Sequence, residues 1–169
     1  MRVREALLVL LARGSAHGYQ LKVDYERLTR NGPINIGQIY QTLQRLERDG
    51  LVERGAGEPS DRRIPYQVTA AGRAAGRELL FDATEPSPAG RSSVAAKVLL
   101  ATTFPGVDAF EVLDVQRAAL VHTVQQARRR ARAQDLASLD RLALEAELAV
   151  IEAELRWLDL CEDELKGGS

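Results

Sequence analysis

Residues 34–50, INIGQIYQTLQRLERDG, decide the fold of this chain. Asn35 can cap a helix by accepting a hydrogen bond from the amide of Gln38, and Ile34 can pack on Ile39 as a hydrophobic staple. Gly50 stands where a C-terminal cap belongs. Between these ends an apolar residue recurs every three or four positions, at Ile36, Ile39, Leu43 and Leu46. The pattern predicts an amphipathic helix with one buried stripe.

The opposite face of this helix is rich in glutamine and arginine. A row of four such residues is flanked by two further polar side chains, and no acidic residue interrupts it before Glu47. The row is Gln38, Gln41, Arg45 and Arg48, and its flanks are Tyr40 and Gln44. Glutamine and arginine read base edges and hold phosphates in the major groove. A merely solvated helix face carries similar residues, so the row needs its context.

Two shorter helical patterns precede this helix. Residues 2–13 carry an apolar run that includes residues 6–11, which predicts a core helix that ends at Gly14. Ser15 is the predicted cap of a second helix over about residues 17–30, whose inward side chains are Leu21, Tyr25 and Leu28.

Two short strand patterns follow the helix, one opening at Leu51 and one closing at Val68. The loop between them contains glycine, proline and the adjacent Arg62 and Arg63. Such a loop can follow the phosphate backbone or reach into the minor groove, although a plain solvated loop has the same composition. Three helices followed by a strand, a loop and a strand predict a winged helix-turn-helix, whose third helix enters the major groove.

The second half of the chain is helical in pattern. Thr69 is the predicted cap of a helix that ends near Phe81, and residues 82–91 read as a linker because they contain Pro86, Pro88 and Gly90. A helix over residues 93–103 and two long helices complete the chain. Asp108 and Glu111 form a capping box for the first long helix, with Val107 and Val112 as its staple.

The last helix, over about residues 138–165, shows heptad spacing in a seam made of Leu144, Leu148, Ile151, Leu155 and Leu158. A small winged domain cannot cover two long apolar stripes, so we expect this seam to pair with a second chain in a homodimer. The predicted fold class is mostly α with a small β-hairpin wing. Its domains are a DNA-binding winged helix-turn-helix (1–82), a linker (83–91) and a helical dimerisation and effector-binding domain (92–169).

Charge and composition agree with this division. The net charge of −1 conceals 13 Lys and Arg against 10 Asp and Glu in residues 1–82, and 10 against 14 in the remainder. A mildly basic first half permits DNA binding. No apolar run approaches the roughly 18 residues that span a bilayer, and the first residues lack a signal cleavage site, so we expect no membrane contact and a cytoplasmic location. Cys161 is the single cysteine, which excludes an internal disulfide and a Cys-based zinc cluster.

The chain resembles the PadR family of bacterial transcriptional regulators. The resemblance rests on residues 17–21 (HGYQL), on the helix from Ile39 to Leu51, and on Tyr66, Val68, Thr69 and Gly72. It implies a winged DNA-binding domain, helical dimerisation, double-stranded operator DNA as partner, and repression relieved by a small molecule. It also implies that Tyr19 and Tyr40 contact the DNA backbone and that Arg62 and Arg63 form the basic wing.

Two positions depart from the family pattern. Gln38 and Gln41 replace the usual Thr or Ser and Pro near the start of the recognition helix, which leaves the base preference open. Pro65 replaces a residue that is often Lys or Tyr, and its missing amide should shorten the hairpin or confine it to an edge.

Other functions were weighed on the same residues. His17 and His122 lie in no motif with a nucleophile or metal partner, so we expect neither catalysis nor a cofactor. Winged helices also bind proteins, so a protein-interaction module is the alternative. Trp157, with Phe110 or Tyr25, could wall a cavity for a small aromatic effector, although simple packing also accounts for a tryptophan here.

Overall fold

The computed structural model describes residues 1–29, 32–55, 64–83, 93–133 and 138–167. Within these ranges it contains seven helices and one antiparallel hairpin. The elements are α1 (Val3–Leu11), α2 (Gly18–Thr29), α3 (Ile36–Arg48), β1 (Val52–Arg54), β2 (Tyr66–Val68), α4 (Ala70–Phe81), α5 (Ser93–Ala101), α6 (Ala109–Ala133) and α7 (Ser138–Gly167). None of the helices in these ranges is long and apolar enough to cross a membrane.

Helix α3 begins and ends where its sequence predicts. The Asn35 side chain caps it, but it accepts from the amide of Gly37 at 2.7 Å, because the amide of Gln38 donates to the Asn35 backbone carbonyl instead. At the other end Gly50 has a φ of +69°, its amide donates to the carbonyl of Glu47, and the amide of Leu51 donates to that of Leu46. This pair of bonds is a Schellman motif, which a glycine at positive φ permits.

Helix α1 lies at the centre of the winged domain. Every residue from 6 to 12 is almost fully buried, and α1 packs against α2, α3, α4 and β2. Helix α2 begins at Gly18, three residues after Ser15, so Ser15 is not its cap and that prediction is wrong. Leu21 and Tyr25 are buried as predicted, whereas Leu28 is half-buried.

The hairpin pairs Val52 with Val68 and Arg54 with Tyr66. Its strands have three residues each, and β2 begins directly after Pro65, whose carbonyl still accepts from the amide of Gly55 at 2.9 Å. The other edge of β2 pairs with the turn before α2, because Ala16 and Tyr66 exchange two backbone hydrogen bonds. The wing is therefore joined to α2 as well as to α3.

Thr69 connects α4 to the end of α3. Its hydroxyl accepts from the amide of Gly72 at 3.0 Å, as predicted for a cap, and donates to the carbonyl of Gly50 at 2.8 Å. Gly72 lies directly against this turn, since a Cβ placed on it would stand 1.9 Å from the carbonyl oxygen of Leu51. Only glycine fits at that position without a shift of the backbone.

The helical half forms a second core between α5, α6 and α7. The Asp108 side chain accepts from the amide of Phe110 at 2.8 Å at the start of α6, rather than from that of Glu111. Helix α7 packs against α6 over much of its length and also touches α5. Its innermost side chains, Ile151 and Leu158, meet Val94, Val98, Leu113 and Leu120.

For the part of the α7 seam that is buried within the chain, the assignment to dimerisation is therefore wrong, and for the two half-buried residues it stays a prediction. Three residues of the seam are buried within the single chain and two are half-buried: Leu148, Ile151 and Leu158 belong to the first group, Leu144 and Leu155 to the second. The heptad spacing was correct, but the partner of the seam is the preceding part of the same chain. A helical hairpin of α6 and α7 buries both stripes without a second subunit.

One backbone carbonyl joins the two halves of the chain. Asp82, at the end of α4, accepts from the ammonium of Lys97 at 2.6 Å and from the side-chain amide of Gln116 at 2.9 Å. Both donors are buried, on α5 and α6 respectively. Burial lowers the pKa of Lys97.

Of the predicted linker, residues 84–91 lie outside the described residues, so its conformation remains a prediction.

Candidate nucleic-acid interface

The outer face of α3 carries the glutamine and arginine row. Gln38, Gln41, Gln44, Arg45 and Arg48 are all exposed. Their orientation is fixed by the opposite side of the helix, where three apolar side chains are completely buried: Ile39, Leu43 and Leu46. A rotation of α3 would bring these three side chains into water, so burial on one side determines what the other side presents.

Tyr40 borders this face and packs against α2, the helix that carries Tyr19. Tyr40 is half-buried and covers the start of α2 so closely that a Cβ on Gly18 would stand 2.6 Å from its Cε1. Tyr19, which follows Gly18 in the sequence, has 67% of its surface exposed. The absence of a side chain at Gly18 thus lets α2 and α3 approach each other. The phenolic hydroxyl groups of the two tyrosines are suitable donors to phosphate oxygens.

The other side of α3 borders a segment that the sequence did not single out. Residues 1–4 and α3 enclose an open depression of about 490 Å³, to which Gln38 and Arg45 contribute. Arg2 and Arg4 also line it, which adds two arginines beside the row. Nothing in their spacing relates residues 2 and 4 to residue 45, because the contact depends on how α1 packs.

The carboxylate of Asp49 neutralises part of this charge. Arg4 Nη1 donates to Asp49 Oδ2 at 2.6 Å, and Arg48 Nε lies 3.7 Å from the other oxygen of Asp49. The hydrogen bond from Arg4, followed by the charges of Arg4 and Arg48, lowers the pKa of Asp49. No ion pair involves Arg45 within the described ranges, so its guanidinium remains available for an anion.

The base of the wing is well anchored and its tip is outside the described residues. Tyr66 is buried, and this burial raises the pKa of its phenol. Arg62 and Arg63, the predicted minor-groove or backbone contacts, lie in the range 56–63, which the structure does not describe. Their assignment therefore stays a prediction.

Of the two alternatives for an effector cavity, Trp157 with Tyr25 and Trp157 with Phe110, the structure contradicts the first, and the second stays a prediction. Tyr25 is part of the first core and borders the depression beside α3. Trp157 packs at the edge of the second core with Cys161 and Val124. Because Tyr25 and Trp157 belong to separate cores, they do not form one cavity, and that part of the prediction is wrong. Phe110 is half-buried near the start of α6.

Residues 7–78 match the sequence profile of the transcriptional regulator PadR-like family. Among solved structures, the PadR-like regulator BC1756 from Bacillus cereus is 18% identical, with 99% of this chain and 100% of that chain covered and a TM-score of 0.44. Bacillus subtilis PadR in complex with operator DNA is also 18% identical, with 95% and 97% covered and a TM-score of 0.46.

Bacillus subtilis PadR in complex with p-coumaric acid is 19% identical, with 98% and 99% covered and a TM-score of 0.43. No curated protein matches the chain at a significant level. The matched region begins within α1, ends within α4, and includes all of α2, α3 and the hairpin. Over these residues the chain is similar to the PadR-like family of transcriptional regulators.

Proposed function

We propose that this protein is a dimeric, sequence-specific transcriptional repressor that acts in the cytoplasm and that a small-molecule effector releases from its operator. The observation that carries the proposal is the exposed row of glutamines and arginines on α3, in a winged domain that matches a family of transcriptional regulators. The row lies on a helix whose other side is fully buried, and this burial determines that the row faces outward, where a partner surface can reach it.

Double-stranded DNA fits this surface in size and chemistry. Helix α3 has 13 residues and is therefore about 20 Å long, and a helix of ordinary diameter enters the major groove, which is about 12 Å wide. Glutamine pairs in bidentate fashion with adenine and arginine with guanine. Gln41, Gln44 and Arg48 point most directly away from the core, so we assign base reading to them.

The flanks of α3 supply the backbone contacts. We assign phosphate contacts to Tyr19 and Tyr40 on one side and to Arg45 and Gln38 on the other. Arg62 and Arg63 complete the set from the wing. Contacts of this kind position the protein on the duplex and make its affinity depend on salt, whereas the base contacts select the sequence.

The test is fluorescence anisotropy on a duplex taken from upstream of the coding region, with a scrambled duplex of equal length beside it, at several salt concentrations. We expect saturable binding that favours the native duplex and weakens steeply as salt increases. Equal and weak binding to both duplexes would contradict a specific site upstream of the gene. A genome-wide binding selection that also recovered no sequence would favour the protein-interaction module.

Arg45→Ala tests the interface itself. Loss of this guanidinium should weaken binding roughly tenfold to a hundredfold and reduce the salt dependence, because one phosphate contact disappears. The matched control is Arg129→Ala, which removes the same charge from an exposed arginine of α6. An equal loss in both variants would show that net charge, and not the α3 surface, determines binding.

The effector is proposed as a small aromatic molecule that binds in the helical half. Trp157 is the single tryptophan and is half-buried at the edge of the second core, so its emission should respond to a ligand there. A titration of aromatic carboxylic acids and planar drugs would test this, followed by release of the labelled duplex. Unchanged emission with every compound would contradict a site beside Trp157.

A further inference from the structure

The depression between residues 1–4 and α3 brings together arginines from distant parts of the chain. Arg2 and Arg4 line it from the start of α1, and Arg45 lines it from the last turns of α3. None of the described residues that line it is acidic. Like charges around one open space repel one another, and an anion placed among them replaces that repulsion with attraction.

Two of the three arginines keep most of their charge for a ligand. Arg45 has no ion pair in the part of the chain that the structure describes. Arg2 Nε lies 3.9 Å from one oxygen of Glu5, and the other oxygen of Glu5 accepts from the Arg2 amide at 2.8 Å. Arg4 is different, because its guanidinium donates to Asp49 at 2.6 Å. Arg2 and Arg45 are therefore the cations that can turn to an anion in the depression.

Two uncharged polar residues of the lining add a donor and an acceptor. Gln38 is exposed, and its carboxamide nitrogen can donate two hydrogen bonds. The Thr42 hydroxyl donates to the carbonyl of Gln38 at 2.7 Å, so its oxygen is left to accept from a ligand. A donor suits a phosphate oxygen, and an acceptor suits a hydroxyl group. The lining thus fits a ligand that carries both groups.

The size of the depression also restricts the class of ligand. Its volume of about 490 Å³ lies within the range of small-molecule sites, about 300–1,000 Å³. A free inorganic phosphate would fill only a small part of it. Arginine is the side chain whose planar guanidinium matches a phosphate in bidentate fashion. A phosphate joined to a larger organic group therefore fits both the charge and the volume.

We propose that this depression binds a small phosphate monoester that also carries hydroxyl groups, the chemistry of sugar phosphates and nucleotides, and that this ligand competes with DNA for Arg45. Arg2 and Arg45 hold the phosphate from two elements. Gln38 donates to one of its oxygens, and Thr42 accepts from a hydroxyl of the organic part. The competition rests on the proposed function, because it uses the assignment of Arg45 to an operator phosphate. Binding of the ester itself does not depend on that assignment.

Direct binding is measured without DNA, by isothermal titration calorimetry at constant ionic strength. The probe is adenosine monophosphate, and adenosine, which lacks the phosphate, is the reference compound. We expect heat from the first and none from the second. Arg2→Gln should weaken binding of the probe about tenfold or more, because one charge-assisted partner of the phosphate disappears. The side chain of Arg2 is 88% exposed, so its replacement leaves the core unchanged.

The matched control is Arg13→Gln, the same change at an exposed arginine beyond the other end of α1. This variant should bind the probe as the parent does. An equal loss in the two variants would overturn the proposal, because it would show that net charge and not the depression holds the phosphate. Absence of binding to the parent would overturn it too.

Competition is measured by anisotropy on the native duplex, with sodium chloride of equal ionic strength as the reference. With the probe about tenfold above its own dissociation constant, the apparent dissociation constant of the duplex should increase about tenfold, because the two ligands exclude each other. In Arg2→Gln the same concentration should act as chloride does. Each protein is compared with itself, so a change in its affinity for DNA cancels.

A phosphate of the DNA backbone is the other source of the same chemistry. If the depression serves only the duplex, Arg2→Gln weakens duplex binding, whereas the probe gives no heat and competes no better than chloride. That result would overturn the proposal. Probe binding without competition would overturn the shared use of Arg45.

The two proposals fail in different ways. If the parent binds the probe through Arg2 but binds neither DNA duplex, the function is wrong and the site stands. If the parent prefers its native duplex but gives no heat with the probe, the site is wrong and the DNA reader stands.

Discussion

At the scale of single residues, the interface depends on one glycine outside it. Gly18 carries no functional group, yet the space above it is occupied by Tyr40. Its role follows from what a methyl group would displace. The sequence shows Gly18 only as a turn residue beside His17 and Tyr19, because the contact to Tyr40 joins two helices.

Gly18→Ala should weaken DNA binding about tenfold while it leaves the chain folded. The added methyl group overlaps the Tyr40 ring, which must turn away from its position, and forced repacking of this kind costs about 1–3 kcal/mol. Anisotropy on the native duplex measures the loss. In a Tyr40→Ala background the same substitution should have little further effect. An equal loss in both backgrounds would show that Gly18 acts in some other way.

At the scale of elements, the contact between α4 and the turn that ends α3 leaves no room for an added methyl group. Gly72→Ala should reduce the free energy of unfolding by about 3 kcal/mol or more, because the new methyl group meets a backbone carbonyl that cannot rotate away. Urea unfolding measures this. Gly76→Ala in the same helix is the control. Its methyl group meets the Phe104 ring at 3.2 Å, and the gain in helix propensity, about 1 kcal/mol, offsets that contact. Similar losses at both positions would contradict the explanation.

Local signals account for what the sequence predicted well. The start, stripe and end of α3 are written in residues 34–50, and Thr69 caps α4 through a bond to a residue three positions away. Long-range pairings were not accessible in the same way. The bridge between Ala16 and Tyr66 joins a turn to a strand fifty residues later, and the depression that includes Arg2 depends on helix packing.

The α7 seam shows a different limit. Its heptad spacing correctly predicted that one side of the helix is buried, as Ile151 and Leu158 are. Spacing states how a helix is divided into faces but not which element covers each face. In the folded chain the seam of α7 packs against the preceding helices, although it was expected to pack against a second subunit.

At the scale of the whole molecule, the free energy of unfolding should depend on pH through the titration of Lys97. Burial lowers its pKa in the folded chain below the ordinary value of 10.5 that it regains on unfolding. Between these two values the unfolded chain binds more protons, so stability increases as the pH rises through that window. Below this pH window, burial of the charged ammonium group reduces the free energy of unfolding by its full amount.

The measurement is urea unfolding of the parent and of Lys97→Met at pH 7 and pH 10. Methionine keeps a similar length and does not titrate, so titrations elsewhere cancel in the difference between the two proteins. We expect the parent to gain on the variant as the pH increases. A difference that stays constant, or that moves in favour of Lys97→Met at pH 10, would contradict the direction given for the pKa.

The three helices that meet at the Asp82 carbonyl also decide how a protomer can deform. Helix α4 ends there, α5 and α6 each hold it through a buried donor, and α5 in turn rests on α2. Because three helices are held at one carbonyl, they resist movement relative to one another. A displacement of one helix therefore moves the other two. A shift that begins in the helical half should therefore reach the recognition helix as a rigid rotation of the winged domain. In the dimer proposed above, such a rotation would change the separation of the two recognition helices, which must match half-sites about 34–36 Å apart.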